Sequence, residues 1–134
     1  MADELIITDL LGDGGDPIEY TCLDNTAIAK GAVMELEDVR TVKKVSADNK
    51  PLAGIAEHEK VANDGATTIS VVTNCIAKAK CGATSATVGK SQAAHAADNT
   101  LGDADTDDDE LGYSIGYALE TATTGETYLV RIKK

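Results

Sequence analysis

The residues with the clearest chemical character are the acidic ones between positions 103 and 110, which read DADTDDDE. Carboxylates at alternate positions suit a hard cation such as Ca²⁺, which prefers oxygen ligands. The pattern departs from an EF-hand loop, because its sixth position is Asp108 and its twelfth is Ser114, where that loop needs glycine and glutamate. We therefore predict a solvated acidic loop over residues 99–110 and no bound metal or cofactor. A calcium site at Asp103, Asp105 and Asp107 is the weaker alternative.

The candidate residues for nucleophilic catalysis are the cysteines Cys22, Cys75 and Cys81 with the histidines His58 and His95. The gap between the last two cysteines is too wide for a CxxC redox or zinc motif. No stretch matches a nucleophile elbow, a phosphate-binding loop or a zinc-protease helix. We predict that the protein is not an enzyme and that the cysteines are ordinary small residues. A Cys–His pair formed in space stays open as an alternative.

The charge balance narrows the range of partners, since 23 acidic residues against 12 basic ones leave a net charge of −11. Nucleic acids and anionic membranes select clustered Lys and Arg, so we predict neither as a partner. The lysines at positions 43, 44, 78, 80 and 90 are scattered over predicted strands, where lysines typically protect exposed strand edges. No apolar run reaches the ~20 residues of a membrane helix, and the N-terminus does not resemble a secretory signal. An odd number of cysteines fits a reducing compartment, so we expect synthesis in the cytoplasm.

The element with the clearest periodicity is the C-terminal hairpin of residues 111–134. Large side chains alternate with small or polar ones along its first strand, which predicts one covered face. A polar turn ending at Gly125 leads into the second strand. The predicted core or subunit-contact residues of the hairpin are Tyr113, Ile115, Tyr117, Leu119, Val130 and Ile132.

Short strand-like segments separated by turn residues continue through the rest of the chain. They lie at 18–23, 32–37, 41–45, 52–57, 67–73, 75–81 and around 86–88, while residues 91–97 read as a strand or loop, with a short helix as the alternative. A glycine followed by Ile-Ala or Tyr-Ala, at Gly54 and Gly116, opens two similar hairpins. We predict an all-β fold, a small β-barrel or β-sandwich over residues 18–134.

The core of this domain must be built from small residues, because the chain has no Phe, no Trp and only four Tyr. Small side chains bury little area each, so we expect modest stability for an isolated monomer and help from oligomerisation or a large partner.

Residues 1–17 are predicted to form an extended N-terminal arm on a Gly-rich tether. Its apolar residues are Leu5, Ile6, Ile7, Leu10 and Leu11, which predict docking on a neighbour by strand addition to a sheet edge. A short helix folded on the chain's own domain and a frayed terminus are the alternatives.

The order of these motifs resembles the capsid cement, or head decoration, proteins of tailed bacterial and archaeal viruses. The motifs that carry the resemblance are KGAV at 30–33, LAGIAE at 52–57, Gly65 before a β-branched strand, GYSIGYALE at 112–120, Gly125 with Glu126, and VRIK at 130–133. The resemblance covers residues 18–134.

This resemblance implies a small β-barrel or β-sandwich protein on the outside of an icosahedral virion. It implies a homotrimer that binds the major capsid protein and stabilises the shell by bridging capsid subunits. Two alternatives come from other classes: a phage tail, receptor-binding or carbohydrate-binding β-sandwich module, and an enzyme with a cysteine nucleophile.

Overall fold

A computed structural model describes residues 3–11, 17–48, 50–83, 85–95, 99–105 and 112–134. These residues form strands, turns and short irregular segments, without a helix, which confirms the predicted all-β class. They include no helix of the length and apolarity that a membrane span requires. The described residues contain 13 strands, which are β1 Ile6–Leu10, β2 Ile18–Thr21, β3 Val33–Asp38, β4 Thr41–Lys44, β5 Leu52–Ala56, β6 Thr68–Val72, β7 Asn74–Lys80, β8 Ser85–Ala86, β9 Ser91–His95, β10 Thr100–Asp103, β11 Ser114–Ala118, β12 Ala122–Thr123 and β13 Thr127–Lys133.

The first part of the chain closes into a five-stranded barrel in the order β2-β4-β3-β5-β6. Neighbouring strands are antiparallel except β2 and β4, which close the barrel through a parallel pairing of Thr21 with Thr41. The barrel has its own buried cluster, to which Met34, Ile69 and Val71 belong. The predicted β-barrel is thus confirmed for this part of the chain.

The second part is a six-stranded sheet in the order β1-β7-β13-β11-β9-β10, accompanied by the two-stranded sheet β8-β12. An isolated bridge between Cys81 and Leu101 brings the edge strand β10 back to the end of β7. The sheet therefore curls around its own apolar side chains, among which Tyr128 is the largest fully buried one.

The strand β5 joins the two parts, because all five of its residues are buried. Leu52 and Ile55 belong to the large cluster shared with the six-stranded sheet, while Ala53 and Ala56 belong to the barrel cluster. A strand covered on both sides reads as a continuous apolar run, as LAGIA does.

The similarity between the two predicted hairpins has a shared physical cause in Gly54 and Gly116. A Cβ atom at Gly54 would collide with the carbonyl oxygen of Val72, and one at Gly116 would collide with that of Arg131. Val72 lies in the strand that follows β5, and Arg131 lies in the partner strand of β11. Both glycines therefore allow close approach of the second hairpin strand.

The structure corrects two sequence-based expectations and shows how the N-terminal strand pairs. Residues 100–103, predicted as part of the acidic loop, form β10, which pairs with β9, and residues 106–110 of that loop lie outside the described residues. The alternation along β11 is interrupted by a register shift between Ser114 and Gly116, so Ile115 and Ala118 are buried and Tyr117 is exposed. Residues 3–11 of the predicted arm are extended, and strand β1 pairs with β7 of its own chain, while the predicted Gly-rich tether at 12–16 lies outside the described residues. A neighbouring strand with free hydrogen-bonding groups was already present within the domain, and sequence periodicity does not identify it.

Candidate interaction surface on the N-terminal edge strand

The strand β1 lies at the edge of the six-stranded sheet. One side pairs with β7, from Ile6 opposite Lys78 to Leu10 opposite Cys75, with a register shift around Thr8. Its other side faces no strand among the described residues. An open strand edge presents backbone N–H and C=O groups, which can accept a strand from another chain.

Leu5 anchors this segment to the rest of the chain. Its side chain is only 3% exposed and belongs to the large core cluster, and its N–H donates to the carbonyl of Gly31 at 2.9 Å. Asp3 adds an ion pair with Lys80 at 3.2 Å. Leu5 therefore packs inside its own chain and is not exposed for docking, contrary to the expectation from sequence.

The other apolar arm residues are divided between the core and the surface. Ile7 packs half-buried against the large cluster, and Leu11 is half-buried just beyond β1. Ile6 and Leu10 are 63% and 49% exposed. Two large apolar side chains thus remain free on an open strand edge, and these are the arm residues able to contact a partner.

A groove of about 310 Å³ adjoins this edge and is lined by Glu4, Leu5, Ile6, Ile7 and Lys30. The Glu4 Oε2 atom is buried and accepts no hydrogen bond from the described residues. A buried carboxylate oxygen without a hydrogen-bond donor is costly. Apolar contacts and an open backbone edge together suit a peptide strand as the ligand.

The hairpin residues predicted from sequence occupy different environments. Ile115, Val130 and Ile132 are fully buried, Tyr113 and Leu119 are half-buried, and Tyr117 is 39% exposed. Of these six residues, Tyr117 is therefore the most accessible to another molecule.

The Asp103 carboxylate is engaged in a network of hydrogen bonds inside the sheet. It accepts from the N–H and hydroxyl of Thr87, both at 2.8 Å, and from Gln92 Nε2 at 2.9 Å, and the Gln92 amide oxygen accepts from Tyr128 at 2.6 Å. Burial alone would raise the pKa of Asp103, but these hydrogen bonds outweigh it and lower that pKa.

The alternative calcium site gains no support from this arrangement, because the first of its three carboxylates, that of Asp103, already accepts hydrogen bonds from Thr87 and Gln92. Asp105 lies just beyond β10, and Asp107 is outside the described residues. Within the described part of the chain, no three His, Cys, Asp or Glu side chains are grouped as a metal site would require.

The three cysteines are buried free thiols. Burial raises the pKa of each, in the case of Cys75 to about 11, and the cation of Lys60 only partly offsets this effect at Cys22. His58 is exposed, with its Nε2 atom 3.1 Å from Oε1 of Glu57, and His95 is exposed at the end of β9. A raised pKa disfavours the thiolate that nucleophilic chemistry uses.

Lys60 is a buried cation that the sequence pattern did not single out. Its Nζ donates to the backbone carbonyl of Asp24 at 2.7 Å and lies 3.3 Å from the Asp64 carboxylate. The turn residues at 24–25 and 63–65 were recognisable from sequence. The contacts of Lys60 with both turns were not.

Comparison with known proteins finds a similar fold but no matching family. No protein-family model matches the chain, and no curated protein matches it. The fold is similar to the crystal structure of the head fiber gp8.5 N base in bacteriophage phi29, with a TM-score of 0.54 and 15% sequence identity. The match covers 87% of this chain and 92% of that one. At this identity the likeness is one of fold.

Proposed function

We propose that this protein is a non-enzymatic structural component of a virus particle. It binds the outer surface of an icosahedral capsid and stabilises the shell by bridging subunits of the major capsid protein. The observation that carries the proposal is the fold shared with the N base of a phage head fiber over most of both chains. The motif order that resembles capsid cement proteins points the same way from sequence.

The open edge of β1 offers a site through which the protein attaches to the capsid. A loop or terminus of a capsid subunit adds as a strand to this edge, with Ile6 and Leu10 packing against its side chains. The net charge of −11 suits the outside of a shell better than an interior filled with DNA phosphates.

A homotrimer on the virion exterior, assembled in the host cytoplasm, is part of the proposal. Binding to neighbours stabilises a folded chain by mass action, which suits a core of small residues. Light scattering at increasing protein concentration tests this assembly, and a mass of one 13.9 kDa chain at every concentration would count against it.

A carbohydrate-binding role receives less support. Sugar recognition favours exposed aromatic platforms, whereas of the four tyrosines only Tyr117 is exposed. No second tyrosine is available to extend a platform.

The test of the proposed function is co-sedimentation of the purified protein with shells of its virus that lack it. We expect the wild-type chain to pellet with the shells in a saturable manner. Replacing both Ile6 and Leu10 by serine should abolish most of this binding. A matched variant with serine at Val39 and Val61, which are also exposed but lie in the barrel part, should bind normally. Wild-type protein that stays in the supernatant would refute the proposal.

A further inference from the structure

The neighbouring strands β7 and β13 carry four of the chain's 12 basic residues and none of its 23 acidic ones. The basic residues are Lys78, Lys80, Arg131 and Lys133. Their neighbours in each strand, among them Ala77, Ala79, Val130 and Ile132, belong to the large core cluster. Because side chains alternate across a strand, the basic residues all lie on the opposite, outer side of the sheet.

The strand register arranges these residues in rows with apolar side chains. Ile6, Lys78 and Leu129 lie side by side across three strands. In the next row, Ile76 lies beside Arg131, which lies beside Tyr117. We name this outer side of β7 and β13, with the adjoining Ile6 and Tyr117, the basic sheet face. It combines apolar contact area with positive charge on a chain that is strongly acidic.

Most of this positive charge is not neutralised within the chain. Lys80 pairs with Asp3, and Asp9 lies opposite Ile76 at the edge of the face. Among the described residues, Lys78, Arg131 and Lys133 form no ion pair, and Lys78 and Lys133 are exposed. Across protein interfaces a positive patch typically meets a negative one, so these cations suit a partner surface of negative charge.

We propose that the basic sheet face docks on an acidic patch of a protein surface, and that this surface is the outer face of the capsid shell. This inference rests on the proposed function and adds the chemistry of a second contact beside the β1 edge. A symmetric contact with a second copy through the same face would bring like charges together, which is unfavourable. Nucleic acid is disfavoured because three unpaired cations on a chain of net charge −11 are few for a phosphate backbone.

The test compares binding to undecorated shells at two ionic strengths for wild-type protein, a Lys78→Gln/Lys133→Gln variant and a Lys44→Gln/Lys50→Gln control. The control lysines lie in the barrel part and also form no ion pair among the described residues. At about 0.05 M salt we expect the first variant to bind roughly three- to tenfold more weakly than wild type, and the control to bind like wild type. At about 0.5 M salt the difference should nearly vanish, because screening removes the advantage of the lysines.

The possible results separate this inference from the proposed function. If the wild-type chain does not bind shells, both are wrong. If it binds and the Lys78→Gln/Lys133→Gln variant binds equally well at low salt, the docking face is wrong and the proposed function stands. Capture of duplex DNA or self-association by the wild-type protein, lost in that variant, would overturn the assignment in favour of those partners.

Discussion

Gly31 illustrates how a single residue determines where the N-terminal strand can lie. Its φ is +86°, and a Cβ atom there would collide with the carbonyl oxygen of Leu5. We expect Gly31→Ala to lower the free energy of unfolding by about 2–4 kcal/mol, because backbone strain and a steric clash add together. Urea denaturation measures the loss.

Gly125→Ala is the matched control for that substitution. Gly125 has a similar φ of +89°, but a Cβ atom there would meet nothing within 4 Å. Strain alone should cost about 1–2 kcal/mol. Equal losses in the two variants would contradict the contact between Gly31 and Leu5.

The carboxylate of Asp103 should make the stability of the protein sensitive to acid. Its pKa is lowered in the folded chain, so the unfolded chain binds more protons as the pH falls. The stabilisation is therefore complete above the ordinary value of 3.8 and is lost as the pH falls through the lower, folded value. We expect Asp103→Asn to be less stable than wild type at neutral pH and to lose less stability on acidification.

Chemical denaturation at several pH values below neutrality checks this prediction. Asp64 and Glu126 also have lowered pKa values, chiefly through hydrogen bonds from the backbone N–H groups of Ala66 and Thr123. They titrate in both proteins, so the difference between wild type and variant isolates Asp103. Parallel stability curves for the two proteins would argue against the proposed hydrogen-bond network.

At the scale of elements, β1 combines two roles that substitutions can separate. Leu5, just before the strand, is buried in the core, whereas Ile6 is exposed. We expect Leu5→Ala to cost about 2–5 kcal/mol of stability, because it leaves a cavity. Ile6→Ala should change stability by less than about 0.5 kcal/mol, because the side chain faces solvent. Thermal or urea unfolding distinguishes the two, and a comparable loss for Ile6→Ala would mean that β1 lies differently on the sheet.

Several strands show where local sequence patterns were sufficient to predict the secondary structure. The segments at 52–57, 67–73 and 75–81 became β5, β6 and β7 with ends close to those predicted, and residues 91–95 adopted the strand alternative. Strand β10 was not predicted, because Thr100, Leu101 and Gly102 precede the acidic run and are too few to show the alternation of side chains that is typical of a strand. The face of β11 was misassigned after Ile115, because one register shift moves every later side chain to the other side.

At the scale of the whole molecule, burial of all three thiols provides a measure of folding. Burial raises the pKa of Cys22, Cys75 and Cys81. We expect a thiol reagent at about pH 8 to react slowly with the native protein and rapidly with three thiols after denaturation. A cysteine that reacts rapidly in the native protein would contradict its buried position and would favour the nucleophile alternative.

The sequence by itself determined the all-β class, most strands and the acidic character. These properties depend on composition and on neighbours along the chain, which alternation and turn residues report directly. Only the tertiary structure decided that Leu5 belongs to the core while Ile6 and Leu10 stay exposed, that Asp103 turns inward, and that the lysines at 78 and 80 share one face with Arg131 and Lys133. Each of these outcomes depends on which strands pair and in what register. Pairing between residues as far apart as Ile6 and Lys78, which are separated by 72 positions, leaves no periodic signal in either segment.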